Sequence, residues 1–211
     1  APGTARIVSL VPSITELVCD LGLAAQLVGR TGFCIHPKHA VREIPKVGGT
    51  KTPDLEAIRA LRPTHVILNI DENERPAAEA LAEFVPHLVV THPQSPLDNL
   101  ALYRLVGGIF GRASEAEALC RRYQSAHDTL AAQRPAAIPA LYLIWRDPWM
   151  TVSRDTYVSR TLALAGFETL PVEARARYPE IALDEDWVGT SEVVLLSSEP
   201  YMFRQKHIAE L

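Results

Sequence analysis

Over the first ninety residues, short apolar runs alternate with amphipathic segments, the pattern of parallel strands joined by crossover helices. Strands are predicted at residues 6–10, 26–29, 65–69 and 87–91. The intervening helices carry start signals of their own. Ser13 to Glu16 has the spacing of a capping box, and Thr52-Pro53-Asp54 offers a cap, a first-turn proline and an acidic first turn. The texture changes at Pro96. From there to Arg134 nothing reads as a strand, and the pattern predicts two consecutive helices broken near Gly111-Arg112. The second opens on Ser114 to Glu117, again with capping-box spacing, and sets Ala116, Leu119, Tyr123, Ala126 and Leu130 on one face. It should run about five turns, or ~25 Å. After Pro135 the alternation returns, with a strand at 140–145, a helix at 156–165 and a strand at 192–197.

These segments divide the chain into an N-terminal α/β lobe at residues 1–95, connecting helices at 96–134, and a C-terminal α/β lobe at 135–211. The predicted class is α/β, with two lobes joined by one long helix acting as a strut. Ligands of parallel sheets lie beyond the carboxyl ends of the strands. A cleft between the lobes is therefore the expected binding site, and the strand-end loops are where its chemistry should be found.

Composition narrows the classes. At 47% hydrophobic and 22% charged the 211-residue chain has globular composition. Its 21 basic and 25 acidic residues are mixed, giving a net charge of −4 and no long-range attraction for nucleic acid or an anionic membrane. No apolar run approaches the roughly 20 residues of a transmembrane helix. Ala1 to Ala5 reads as a mature end left by signal-peptide cleavage. The three cysteines lack CxxC spacing, so neither a disulfide framework nor a zinc knuckle is expected. Cys19 and Cys120 fall in helical patterns as small apolar residues, and Cys34, in a loop, is the plausible reactive thiol.

Four strand-end segments stand out. Leu10-Val11-Pro12-Ser13 leads into a helix whose free N–H groups could receive a carbonyl or an anion. Gly32 to Pro37 presents Phe33 in a proline-limited loop, and Val47-Gly48-Gly49-Thr50-Lys51 allows close backbone approach. Trp145-Arg146-Asp147-Pro148-Trp149 is the densest cluster, with two indoles on which a flat ligand can stack. Tyr157, Arg175, Arg177 and Tyr178 could close the same pocket. The ligand candidates are thus Pro12, Ser13, Phe33, Gly49, Thr50, Trp145, Arg146, Trp149, Tyr157 and Tyr178. Neither a P-loop nor GxGxxG is present, so nucleotide binding has no support. The pairs His36/His39 and His87/His92 lack metal-site spacing, and no metal site is expected. No GxSxG elbow can be found. An enzyme on a related two-lobed scaffold, using Cys34, His36 or Asp147, is the competing reading.

The run Ile7-Val8-Ser9-Leu10-Val11-Pro12-Ser13-Ile14-Thr15-Glu16-Leu17 resembles the opening of class III solute-binding proteins, which serve ABC importers of cobalamin, ferric siderophores and heme. Val47-Gly48-Gly49, then Pro53-Asp54-Leu55-Glu56-Ala57-Ile58, then Leu61-Arg62-Pro63-Thr64-His65-Val66-Ile67 is similar to that family's next segment in order and spacing. The likeness extends to Ser197-Ser198-Glu199-Pro200-Tyr201 and is nearest to the cobalamin-binding-like helical backbone metal receptors. It implies two Rossmann-like lobes on one backbone helix, a monomer holding a corrinoid or ferric chelate without any permanent cofactor, and a periplasmic or other extracytoplasmic location. It also implies a permease partner met by one glutamate per lobe, here Glu74 and Glu199. Where cobalamin receptors place an aromatic, this chain has Asn69 and Ile70. Relatives continue beyond the equivalent of Leu211, so the C-terminal lobe is expected to be incomplete.

Overall fold

The computed structural model describes residues 4–133, 135–198 and 201–211. Its order is β1 (Ile7–Ser9), α1 (Pro12–Asp20), β2 (Leu27–Arg30), α2 (Lys38–Val41), α3 (Leu55–Ala60), β3 (His65–Asn69), α4 (Arg75–Ala82), β4 (His87–Thr91), α5 (Asp98–Ile109) and α6 (Ala113–Ala131). There follow β5 (Ile138–Leu143), α7 (Tyr157–Leu164), β6 (Phe167–Thr169), β7 (Val193–Leu196) and α8 (Gln205–Ile208). Two compact units result. Unit 1 holds residues 1–92 and 99–122, and unit 2 holds 93–98 and 123–211.

In unit 1 the sheet order is β2-β1-β3-β4, all parallel. Alternation along each strand builds a core on either face. Ile7, Ile67 and Val89 turn to one side, where they meet Ile14, Leu17 and Val18 of α1 together with Val106, Phe110 and Ala116. Val8, Val66 and Leu68 turn to the other, against Ile58 of α3 and Leu81 of α4. Helices on both faces leave the strand carboxyl ends to loops alone. Between α5 and α6, Gly111 takes φ +68°, which ends the first helix where the sequence predicts the break. Gly107 has no side chain because α6 passes close by: a Cβ there would lie 2.5 Å from that of Ala116.

Unit 2 has a parallel sheet ordered β6-β5-β7. Ala140, Leu141 and Leu143 of β5 are buried with Val152 and Leu170. Thr156 caps α7, its hydroxyl accepting from Ser159 N at 3.3 Å.

Two helix starts differ from expectation. α1 begins at Pro12, with extended Val11 before it and no side-chain cap. Proline at the first position lacks the N–H that would need a partner, so Ser13 sits exposed in the first turn instead of capping it. α6 begins at Ala113; Ser114 donates to Glu115 at 2.7 Å and Glu117 is drawn to Arg104 of α5 at 2.6 Å, so no capping box forms. At α3 the cap is Asp54, accepting from Ala57 N at 2.9 Å. The face expected along all of α6 is buried only in its first half, at Ala116 and Cys120 with Leu119 packed beside them, whereas Ala126 is exposed. β6 was not expected: three residues are too few to show alternation.

Candidate functional site

All four strands of unit 1 point the same way, so the loops after β1, β2 and β3 and the end of β4 gather at one edge of the sheet. One side chain ties three of these segments together. Asn73, nearly buried, accepts from Asn69 N at 2.8 Å and donates through Nδ2 to Leu10 O at 3.3 Å and to Thr50 O at 2.9 Å. The β1 loop, the glycine loop and the turn after β3 thereby share one amide. Asn69 Oδ1 accepts from Asp71 N at 2.8 Å, Lys51 Nζ donates to Asp71 O at 2.8 Å, and the Asp71 carboxylate lies 3.6 Å from His92 Nε2.

The glycine loop is held in turn. Gly48 has φ +88°, a conformation that strains any side chain, and its carbonyl accepts from Gly32 N at 2.9 Å. This draws the Phe33 loop beside it, with Phe33 Cε2 3.6 Å from where a Gly49 Cβ would stand. Phe33, Gly49 and Thr50 therefore lie on strand-end loops of one sheet edge, and Pro12 and Ser13 stand at the same edge in the first turn of α1. Phe33 is 62% exposed there, with Ile35 and Ile70 also exposed. Three uncovered apolar side chains on loops fastened by hydrogen bonds suit a large, partly apolar ligand.

Cys34 is not the reactive thiol. It is wholly buried, its sulfur 3.1 Å from Thr31 Oγ1 and 3.9 Å from Ser9 O. The most accessible of the three thiols is Cys19, and burial with the nearby Asp20 and Glu16 carboxylates pushes its pKa up, away from reactivity. His36 and His39 are exposed. Among the described residues no group of three or more His, Cys, Asp or Glu is placed to hold a metal ion.

In unit 2, the chain beyond β5 folds back on itself: Ile144 N donates to Met150 O at 2.9 Å and Met150 N to Trp145 O at 3.1 Å. The tryptophans flanking this turn meet the segment after β7. Trp145 stands edge-on to Tyr201 with ring centres 5.4 Å apart, and Trp149 lies parallel to Phe203 at 6.1 Å. Arg146 pairs with Asp147 and, at 2.5 Å, with Glu210, its guanidinium 5.5 Å from the Trp149 ring. Trp145 remains 40% exposed. Tyr157 opens α7 and is half-buried, while Tyr178 is exposed on a segment laced to the tryptophan turn by Thr151 N to Pro179 O at 3.1 Å and Ile181 N to Trp149 O at 2.9 Å. Arg175 is exposed, and Arg177 O accepts from Ser153 N at 2.8 Å. The Ser153 hydroxyl and then the Arg177 charge hold the Asp155 carboxyl below its ordinary pKa.

Glu74 is exposed at the N-terminal end of α4, where its side chain makes no cap hydrogen bond. Glu199 lies outside the described residues. Sequence reasoning missed Asn73 as the fastening residue and Tyr201 and Phe203 as neighbours of the tryptophans. An asparagine pair four residues apart at the end of a predicted strand is the one local sign of the first. Nothing local marks the second.

Residues 7–185 match the family described as periplasmic binding protein. The chain is 22% identical over 199 residues to the vitamin B12-binding protein of Pectobacterium carotovorum subsp. carotovorum (strain PC1), covering 92% of this chain and 72% of that protein. Its structure resembles the periplasmic vitamin B12 binding protein BtuF of Vibrio cholerae, with TM-score 0.84, 19% identity and coverage of 98% of this chain and 79% of that one. It is also similar to a periplasmic heme binding protein from Pseudomonas aeruginosa, with TM-score 0.83, 21% identity and coverage of 97% and 76%.

Proposed function

The chain belongs to the periplasmic binding protein family, a family of binding proteins and not of enzymes, and from that premise we propose that it is the substrate-binding component of an ABC importer. Its cargo is a corrinoid or a metal chelate such as heme or a ferric siderophore. The observation that carries this reading is the set of exposed apolar side chains, Phe33, Ile35 and Ile70, on hydrogen-bonded loops at the strand carboxyl ends of unit 1. Tetrapyrrole and corrin rings are broad, flat and largely apolar, and such side chains offer them area at little ordering cost. In this reading the residues that contact the ligand are Pro12, Ser13, Phe33, Gly49 and Thr50 of unit 1 and Trp145, Arg146, Trp149, Tyr157 and Tyr178 of unit 2. α6, whose residues divide between the units after Arg122, is the backbone helix. The protein acts as a periplasmic monomer, and among the described residues no helix is long and apolar enough to cross a membrane.

Titration with cyanocobalamin, heme and a ferric siderophore, followed by intrinsic tryptophan fluorescence, tests this reading. Saturable quenching by one of the three is expected. Phe33→Ala and Trp145→Ala should each weaken that ligand about 5- to 30-fold, the loss of ~1–2 kcal/mol of aromatic contact. If none of the three binds, the ligand class is wrong.

A permease is the partner this role requires, and Glu74 is the described candidate for meeting it, with Glu199 its counterpart on the other lobe. Glu74→Ala should leave ligand affinity unchanged while lowering ATP-driven uptake in vesicles that contain the transporter. An unchanged uptake rate would remove Glu74 from the docking surface.

A further inference from the structure

At the opposite end of the unit 1 sheet, where the strands begin, lies a cavity of about 540 Å³ lined by Gln26, Thr64, His65, His87 and Phe110 together with the last turn of α5. The carrier role proposed above makes no use of it. We propose that this cavity is a second binding site, which takes a late first-row divalent metal ion on the imidazoles of His65 and His87.

The sheet register sets up the pair. His65 and His87 are the first residues of β3 and β4 and stand directly opposite each other in the parallel ladder, so both side chains leave the same face of the sheet. Their ring centres are 4.7 Å apart. A metal bound 2.0–2.1 Å from an imidazole nitrogen lies about 3.2 Å from that ring's centre, so rings sharing an ion at angles between square and tetrahedral have centres roughly 4.5–5.2 Å apart. The observed spacing falls in that interval. Imidazoles side by side on neighbouring strands need only side-chain rotation to turn one nitrogen each toward a shared ion.

The surroundings hold the His65 ring in place. Thr64 Oγ1 donates to Arg6 O at 3.3 Å and lies 2.9 Å from His65 Nδ1. In the tautomer whose Nδ1–H donates to Thr64 Oγ1, Nε2 keeps its lone pair, the arrangement that orients metal-binding histidines. Phe110 packs against the His65 ring in a T-shaped arrangement with centres 4.9 Å apart. The last turn of α5 adds the negative end of a helix dipole, which attracts a cation and repels an anion. Among the described residues, no aspartate, glutamate, lysine or arginine lines the cavity. Nitrogen ligands without carboxylates select copper, nickel or zinc over magnesium or calcium, and copper stands highest in that series.

The test uses the full chain carrying His36→Gln and His39→Gln, which removes the exposed imidazoles of the Phe33 loop, and Cu2+ as probe. One equivalent should bind, and pulsed electron paramagnetic resonance should report two imidazole nitrogens. His65→Gln and His87→Gln should each weaken binding at least about tenfold. No binding below about 100 µM, a single coupled imidazole, or an affinity unchanged by either substitution overturns the site. Because a substitution in β3 or β4 could disturb folding, sub-stoichiometric Cu2+ is also added to the unaltered protein. There, the ring-proton signals of His65 and His87 should broaden first; broadening confined to other histidines overturns the proposal.

Discussion

Asn73→Ala is expected to lower the unfolding free energy by about 2–4 kcal/mol and to weaken binding of whichever ligand quenches the tryptophans. The side chain is 8% exposed and makes three hydrogen bonds to backbone groups. Alanine removes all three and leaves Leu10 O, Thr50 O and Asn69 N without this partner in a place where water enters poorly. Each bond contributes about 0.5–1.5 kcal/mol net, and an abandoned buried group costs more than that. The loss of affinity follows from where the bonds end, because the β1 loop and the glycine loop are the two that Asn73 fastens to the turn after β3. Urea denaturation and the fluorescence titration measure the two effects separately. Asn73→Asp sharpens the test: it keeps the acceptor for Asn69 N but turns a carboxylate towards two carbonyl oxygens, and should be no more stable than the alanine variant. If the aspartate variant proves as stable as the unaltered protein, the two carbonyl bonds contribute little.

Gly107→Ala is expected to destabilise by about 2–3 kcal/mol, although the same change in an exposed helix interior stabilises by up to about 1 kcal/mol. The added methyl group would lie 2.5 Å from the Ala116 Cβ and 2.8 Å from Arg112 O, closer than atoms can approach. Separating the helices to admit it would open the core formed by Val106, Phe110 and Ala116. The neighbouring Gly108 supplies the control, since a Cβ there meets nothing within 4 Å. Gly108→Ala should therefore leave the melting temperature unchanged or raise it, while Gly107→Ala lowers it by several degrees. Equal effects at the two positions would show that helix propensity, and not the α5–α6 approach, governs this turn.

The four strands of unit 1 were legible because each carries its own local signal. Val8, Val66 and Leu68 alternate with Ile7 and Ile67 at period two, and both faces of the sheet are buried. The α5–α6 break was legible for a similar reason, since a left-handed residue is needed there and Gly111 is the one at hand. Caps were read less well because two residues compete for each helix start. Pro12 displaces Ser13 by needing no partner, and Arg104, thirteen residues before Glu117, takes the carboxylate that a capping box would have used. The candidate site was visible in its residue types and hidden in its connections. Phe33 and Trp145 stand out in any reading of loop composition, but the partners of Asn73 lie 63 and 23 residues away, and Tyr201 and Phe203 reach the tryptophan turn from beyond β7. Backbone carbonyls carry no mark in the sequence, so a side chain that acts by binding them cannot be recognised from residue identity.

The division of the chain also bears on its folding after export. Unit 1 is completed not by residue 92 but by residues 99–122, which follow a six-residue excursion into unit 2. A chain that has crossed the membrane only as far as β4 has its whole four-stranded sheet and α1 yet lacks Val106, Phe110 and Ala116, and part of one face of that sheet stays open to water. During that interval the exported chain presents an unfinished apolar surface, and a holding chaperone has something to grip until α6 has crossed.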